Sequence, residues 1–74
     1  MKETPLRSPI PGIVQSVVVK EGQYIKCGET VVFINVMKME NPVVAHANGK
    51  IKKIVVKEWD EIHYGDSILI IEEE

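Results

Sequence analysis

The apolar residues of this chain fall in short β-branched blocks, and none of them holds a helical spacing. Val14 with Val17 to Val19 forms one block. Val31 to Ile34, Val43-Val44, Ile51 to Val56 with interleaved lysines, and Ile68 to Ile71 form the others. Pro, Gly or Asn interrupts the chain every several residues, and short β-branched runs with such punctuation predict strands. The pattern places strands at Thr4 to Arg7, Gly12 to Lys20, Thr30 to Asn35, Pro42 to Ala45, Lys50 to Lys57 and Ser67 to Glu72. Turns are expected at Ser8 to Gly12, Glu21 to Gln23, Lys26 to Glu29 and Ala47 to Gly49, with a loop over Asp60 to Asp66. Ile25 stands alone between two turns, Met1 to Glu3 read as frayed, and Glu72 to Glu74 as a solvated acidic tail. The fold class is all-β, a sandwich or barrel of short strands.

Self-similarity sharpens this picture. With Gly12 laid over Gly49, Val18-Val19-Lys20-Glu21 falls on Val55-Val56-Lys57-Glu58. Ile25 falls on Ile62, Gly28 on Gly65, and Glu29 to Ile34 on Asp66 to Ile71, without a gap. Two half-repeats result, at about 9–34 and 46–71 of a single domain spanning 1–74. Neither half is long enough to close a core, so the halves are expected to exchange edges about a pseudo-twofold axis. Gly28 and Gly65 are expected at turns that need positive φ. Trp59 stands where the first half has Gly22; it carries strain if that position is left-handed, and it reads as a partly buried cover residue. The symmetry also sets the junction of the halves and the chain ends at opposite poles.

That junction is Val36-Met37-Lys38-Met39-Glu40-Asn41. A lysine between methionines with no adjacent glycine is unusual for a turn. At a strand's period of two, Met37 and Met39 would share a face opposite Lys38 and could be core. Glu40, Asn41 and Pro42 read instead as a turn, and unbranched Met suits an adaptable exposed surface. From the residues alone these readings stay balanced.

Composition narrows the function classes. A 74-residue chain buries only about 60% of its unfolded surface. The single cysteine, Cys27, allows no internal disulfide, so an apolar core must carry the fold. The net charge of −2 gives no basic footprint for nucleic acid, and the lysines at 50–53 alternate as a solvated strand face. The longest apolar run, Ile68 to Ile71, is far short of the ~20 residues needed to span a bilayer. A reduced thiol and no export signal point to a cytoplasmic location. No catalytic residue is assigned: His46 and His63 lack a nucleophile at readable spacing, and Cys27, the counterpart of Tyr64, reads as a structural turn residue.

Ser8-Pro9-Ile10-Pro11-Gly12, Lys20-Glu21-Gly22, Gly28, Met37-Lys38-Met39-Glu40-Asn41, Gly49, Lys57-Glu58 and Gly65 together resemble the biotinyl domains of biotin-dependent carboxylases and decarboxylases. The resemblance runs from about Pro5 to Ile71. It implies a barrel-sandwich hybrid, a flattened eight-stranded barrel, and a biotin carboxyl carrier. It makes Lys38 the site of covalent biotin, with Met37 and Met39 as flanking recognition residues. The implied partners are a biotin protein ligase, a biotin carboxylase, and a carboxyltransferase or decarboxylase subunit. Asn35-Val36 replaces the family's usual Glu-Ala, and no thumb insertion separates Gly12 from Glu21. The alternatives are a lipoyl carrier, whose tip usually reads Asp-Lys-Ala, and an unmodified structural domain of the same fold.

Overall fold

The computed structural model describes residues 2–74, and Met1 lies outside the described residues. Eight strands are present among them: β1 (Glu3–Arg7), β2 (Gly12–Val17), β3 (Tyr24–Ile25), β4 (Thr30–Val36), β5 (Met39–Val44), β6 (Gly49–Ile54), β7 (Glu61–Ile62) and β8 (Ser67–Glu73). They form two four-stranded sheets with spatial orders β1-β8-β6-β3 and β5-β4-β2-β7, and every pairing is antiparallel. The molecule measures 37 × 17 × 17 Å, and among the described residues no helix is long and apolar enough to cross a membrane.

A shift of 37 positions, that from Gly12 to Gly49, carries one sheet onto the other. Val14↔Ile34 becomes Ile51↔Ile71, and Pro5↔Ile70 becomes Pro42↔Phe33. The register breaks correspond too, between Val14/Ser16 and Ile51/Lys53, and between Thr30/Val32 and Leu69/Ser67. β4 and β8 share one burial pattern, with Val31, Val32 and Ile34 matching Ile68, Leu69 and Ile71 in the core. Because each bulge adds a residue, adjacent Val31 and Val32 can both turn inward, which strict alternation forbids. Pro5 and Pro42 sit on β1 and β5, both outer strands, where a missing N–H breaks no ladder.

Edges are exchanged through the smallest strands. β3 leaves the first half to pair with β6, and β7 returns to pair with β2. Ile25 and Ile62, isolated in the sequence, are the buried residues of these two-residue strands. The predicted strands to Lys20 and Lys57 stop earlier, at Val17 and Ile54. Beyond them the chain crosses between sheets, tucking Val19 into the core while Val18 and Val55 face solvent. Glu3, expected to fray, pairs with Glu72 in β1.

Four turns hold these crossings, and all four are built alike. Gln23 N–H donates to Lys20 O, Asp60 to Lys57, Glu29 to Lys26 and Asp66 to His63. In each, the last residue's side chain accepts from the first residue's N–H, as in Lys26 N to Glu29 Oε1 at 2.7 Å and His63 N to Asp66 Oδ2 at 2.8 Å. The third residue is left-handed: Gly22 at 88°, Gly28 at 94°, Gly65 at 86° and Trp59 at 75°. Positive φ at the third position marks a type II turn. Trp59 therefore carries the strain its position implies. The expectation that it is partly buried fails, because Trp59 is 69% exposed: the turn points it away from the core.

Gly12 and Gly49 serve differently. A Cβ on Gly12 would meet Asn35 O at 2.6 Å and Ile34 Cγ2 at 2.7 Å, and one on Gly49 would strike Glu72 O. These are sites of close strand approach. At Gly22, Gly28 and Gly65 a Cβ would meet nothing, so only backbone strain opposes a side chain.

Two predictions follow from this difference. Gly28→Val and Gly65→Val should each lower stability by about 1–2 kcal/mol from the left-handed penalty, while Trp59→Gly should raise it by about 0.5–1 kcal/mol. Urea denaturation would check both signs, and an unchanged midpoint for all three variants would refute the turn assignment. Gly12→Ala and Gly49→Ala should cost about 2 kcal/mol or more, because backbone must move. Far-UV circular dichroism during thermal melts would reveal it as lower midpoints than for Gly28→Ala.

Candidate functional site: the β4–β5 hairpin tip

Strand β4 ends at Val36, which pairs with Met39 at the start of β5, leaving Met37 and Lys38 as a two-residue turn. Their φ values are 52° and 69°. Two consecutive left-handed residues define a type I′ turn, which matches the twist of a hairpin and normally takes Asn-Gly or Gly-Gly. Here two unbranched side chains occupy it, at a cost of roughly 1–2 kcal/mol each. Strain of this kind persists where the surrounding structure imposes it, and it gathers at functional sites.

The turn is thus tighter than the sequence suggested. Glu40 and Asn41, read as part of the turn, lie in β5 opposite Asn35 and Ile34, ahead of Pro42, the predicted start of the strand, which pairs with Phe33. The strand begins at Met39 because a type I′ turn closes in two residues. Asn41 does act locally: its Nδ2 donates to Met39 O at 3.1 Å. Val36 is half-buried, and its Cγ2 would lie 2.9 Å from a Cβ on Gly12. Asn35 Nδ2 donates to Gln15 Oε1 at 3.1 Å, joining β4 to the bulge of β2. The residue pair that departs from the family's usual pattern therefore braces the base of the hairpin. Neither Gln15 nor this bond was visible in the sequence, since it depends on the bulge that re-aims Gln15.

Met37 is 90% exposed and Met39 68%. Of the two readings the sequence left balanced, core and surface, the structure selects surface. Lys38 is exposed between them, and the ion pairs among the described residues involve Lys52 and His63, not Lys38. Its amine is a solvent-facing group held beyond the end of the ladder. No group of three His, Cys, Asp or Glu among the described residues could hold a metal ion. His63 is a surface residue, its ring nitrogens 3.6 Å from Asp66 and 4.0 Å from Glu61. His46 and Cys27 are exposed, and Cys27 N–H donates to Asn48 Oδ1 at 2.7 Å.

The tip and the chain ends occupy opposite poles. Glu74 N–H donates to Asn48 O, Asn48 Oδ1 receives Cys27 N–H, and Gly28 N–H donates to Ala45 O. These bonds gather the C-terminus at the Thr30–Val44 end of the β4–β5 ladder, whose other end is Val36–Met39. Glu73 N–H donates to Lys2 O at 2.7 Å, so the N-terminal strand begins there as well.

Residues 4–71 match the family described as biotin-requiring enzyme. The chain is 37% identical over 67 residues to the propionyl-CoA carboxylase alpha chain, mitochondrial, of Sus scrofa; the match covers 90% of this chain and 9% of that one. It is 41% identical over 66 residues to the biotinylated protein TB7.3 homolog of Mycobacterium leprae, covering 89% of this chain and 93% of that protein. Among solved structures, a single-chain, multi-domain long-chain acyl-CoA carboxylase superposes with a TM-score of 0.90 at 25% identity, over 97% of this chain and 7% of that one. The urea carboxylase of Kluyveromyces lactis gives 0.89 at 30% identity, over 97% and 6%. The chain thus spans about a tenth or less of the carboxylases it matches and nearly the whole of the small biotinylated protein. With two four-stranded sheets laid out as in the carboxylase regions it superposes on, this chain is a barrel-sandwich hybrid and belongs to the biotin-requiring enzyme family.

Proposed function

We propose that the chain is a biotin carboxyl carrier, one domain spanning 1–74 with half-repeats at about 9–34 and 46–71, and that Lys38 is its point of biotin attachment. The observation that carries this reading is the tip itself: a solvent-facing amine between two exposed methionines, in a strained turn that neither core packing nor an ion pair requires.

The residues fit the group. An amide between Lys38 Nζ and the carboxyl of biotin would discharge the amine and place the ring at the end of a long flexible stem. When bound, biotin supplies the carboxyl-carrying chemistry. The protein supplies position. The type I′ turn sets Lys38 clear of both sheets, Asn35–Gln15 and Asn41–Met39 brace the hairpin, and Met37 and Met39 offer polarizable contacts to more than one partner surface. With the chain ends at the opposite pole, a domain tethered there presents Lys38 outward. Tethering would keep it at effective concentrations up to the millimolar range for each active site it visits.

The reading makes the chain non-catalytic. A biotin protein ligase would load Lys38, and the loaded arm would move between a biotin carboxylase and a carboxyltransferase or decarboxylase subunit. The cytoplasm is the proposed location. Met37 and Met39 are assigned recognition by these partners.

Intact mass after co-expression with a biotin protein ligase tests the assignment. A single biotin adduct is expected on the wild type and none on Lys38→Arg; lipoylation instead of biotinylation would overturn it. Lys38→Ala should leave the unfolding free energy from urea denaturation within about 0.5 kcal/mol of wild type, as for other exposed sites. Met37→Gly separates fold from function. It should stabilise the protein by about 0.5–1 kcal/mol by relieving the left-handed residue, while slowing biotinylation in a time course at fixed ligase. A variant that is both more stable and modified as fast would remove the recognition role of Met37.

A further inference from the structure

The pseudo-symmetry supplies an internal control for one surface feature that the carrier function does not use. In the first half, the loop Lys20–Gln23 lies beside β6, and Glu21 Oε2 accepts from Ile54 N–H at 2.9 Å. Ile54 pairs with Leu69 at a position whose N–H points away from β8, so the Glu21 carboxylate satisfies a strand-edge donor. The counterparts in the second half are Glu58 and Val17. Val17 pairs with Val32 in the corresponding place, and Val18 N–H is the one that reaches Val31 O. Val17 N–H therefore points outward from β2. β7 covers this edge only at Gly12 and Ile13, and the Trp59 loop takes Val14 alone. Neither β4, β7 nor the Trp59 loop supplies an acceptor to Val17 N–H.

The unfilled donor opens into a surface groove lined by Val17, Val56, Lys57, Glu58 and Trp59. Val56 is only partly buried, whereas its counterpart Val19 is core. Trp59 forms one wall, in left-handed geometry and 69% exposed, where the first half uses Gly22. A large apolar side chain held in strain and in water contributes little to its own fold, and backbone strain of this kind gathers at functional sites.

We propose that this groove docks an extended peptide segment of a partner polypeptide that carries an acidic side chain beside an aliphatic one. The Glu21–Ile54 bond shows what the strand edge accepts: a carboxylate on the N–H. In the groove, Val17 N–H takes the carboxylate, and Lys57, which lines the groove together with Glu58, supplies the opposite charge. The aliphatic neighbour packs between Val56 and the Trp59 ring. The site lies on the flank of β2, formed by the loop before β7 rather than by the β4–β5 turn, so it can be occupied whether or not Lys38 is modified. It stands independently of the carrier assignment.

Amide-resolved NMR titration with two synthetic probes, Ac-Ala-Ile-Glu-Ile-Ala-NH2 and its Glu-to-Gln analogue, tests the inference. The Glu peptide should shift the Val17 amide saturably while leaving Ile54, already capped by Glu21, unmoved. The Gln peptide should bind about tenfold more weakly, as expected when a charge-assisted hydrogen bond becomes neutral. Trp59→Gly, which the turn geometry predicts to be folded and stabilised, should lose the response. Three results would overturn the inference: no saturable shift at Val17, an equal response in Trp59→Gly, or a Val17 amide that moves on Glu58→Gln without peptide. The last would show Glu58 already occupying the site.

Discussion

Neither half of this chain can cover its own apolar face, and the exchange of β3 and β7 between halves is the constraint on which the rest depends. Each is only two residues long, yet each carries a fully buried isoleucine across to the other sheet. Ile25 and Ile62 thereby close the two ends of one aliphatic core, in which β4 and β8 contribute identical patterns of valine, isoleucine and leucine. Without that exchange, each half would expose its Val/Ile face, and a chain of this size has no disulfide with which to compensate. The four matched turns exist to deliver these crossings, which explains why their left-handed positions and side-chain caps recur in both halves.

The same constraint sets where the functional tip can be. Under the shift that relates the halves, Val36 and Met39 correspond to Glu73 and Lys2, which are hydrogen-bonded at the chain ends. The hairpin and the termini are thus equivalent places in the two halves, one joined and one open. A junction between pseudo-symmetric halves is necessarily a pole, and a pole is where a side chain can reach a partner without the partner displacing the core.

Much of this was legible in the sequence because it rests on residue type at fixed offsets. The all-β class, the shift of 37, the left-handed Gly28 and Gly65 and the oddity of Lys38 at a glycine-free turn all follow from composition and spacing. What was missed depends on geometry that residue type does not encode. The turn was carried through Glu40 and Asn41, with the strand starting only at Pro42, because Asn and Pro usually punctuate strands. In β5, an outer strand, Pro42 breaks no hydrogen bond and Asn41 bonds Met39 O. Trp59 was read as cover because tryptophans are usually buried, but its left-handed turn points it outward. Gln15 was unremarkable until a bulge aimed it at Asn35.

Strain offers a further way to read the molecule. Among the described residues, three that are not glycine take left-handed φ: Met37, Lys38 and Trp59. Glycine would be tolerated at each on steric grounds, and the fold itself shows this for one of them, since Gly22 fills the place of Trp59 in the first half. At every other left-handed turn position the chain uses glycine. The exceptions are exposed side chains that add almost nothing to the core, so stability cannot account for them. Two lie at the hairpin tip and one at the rim of the groove beside Val17. Where a nearly symmetric protein departs from its own symmetry and bears strain to do so, the departure is best explained by what those side chains meet outside the fold.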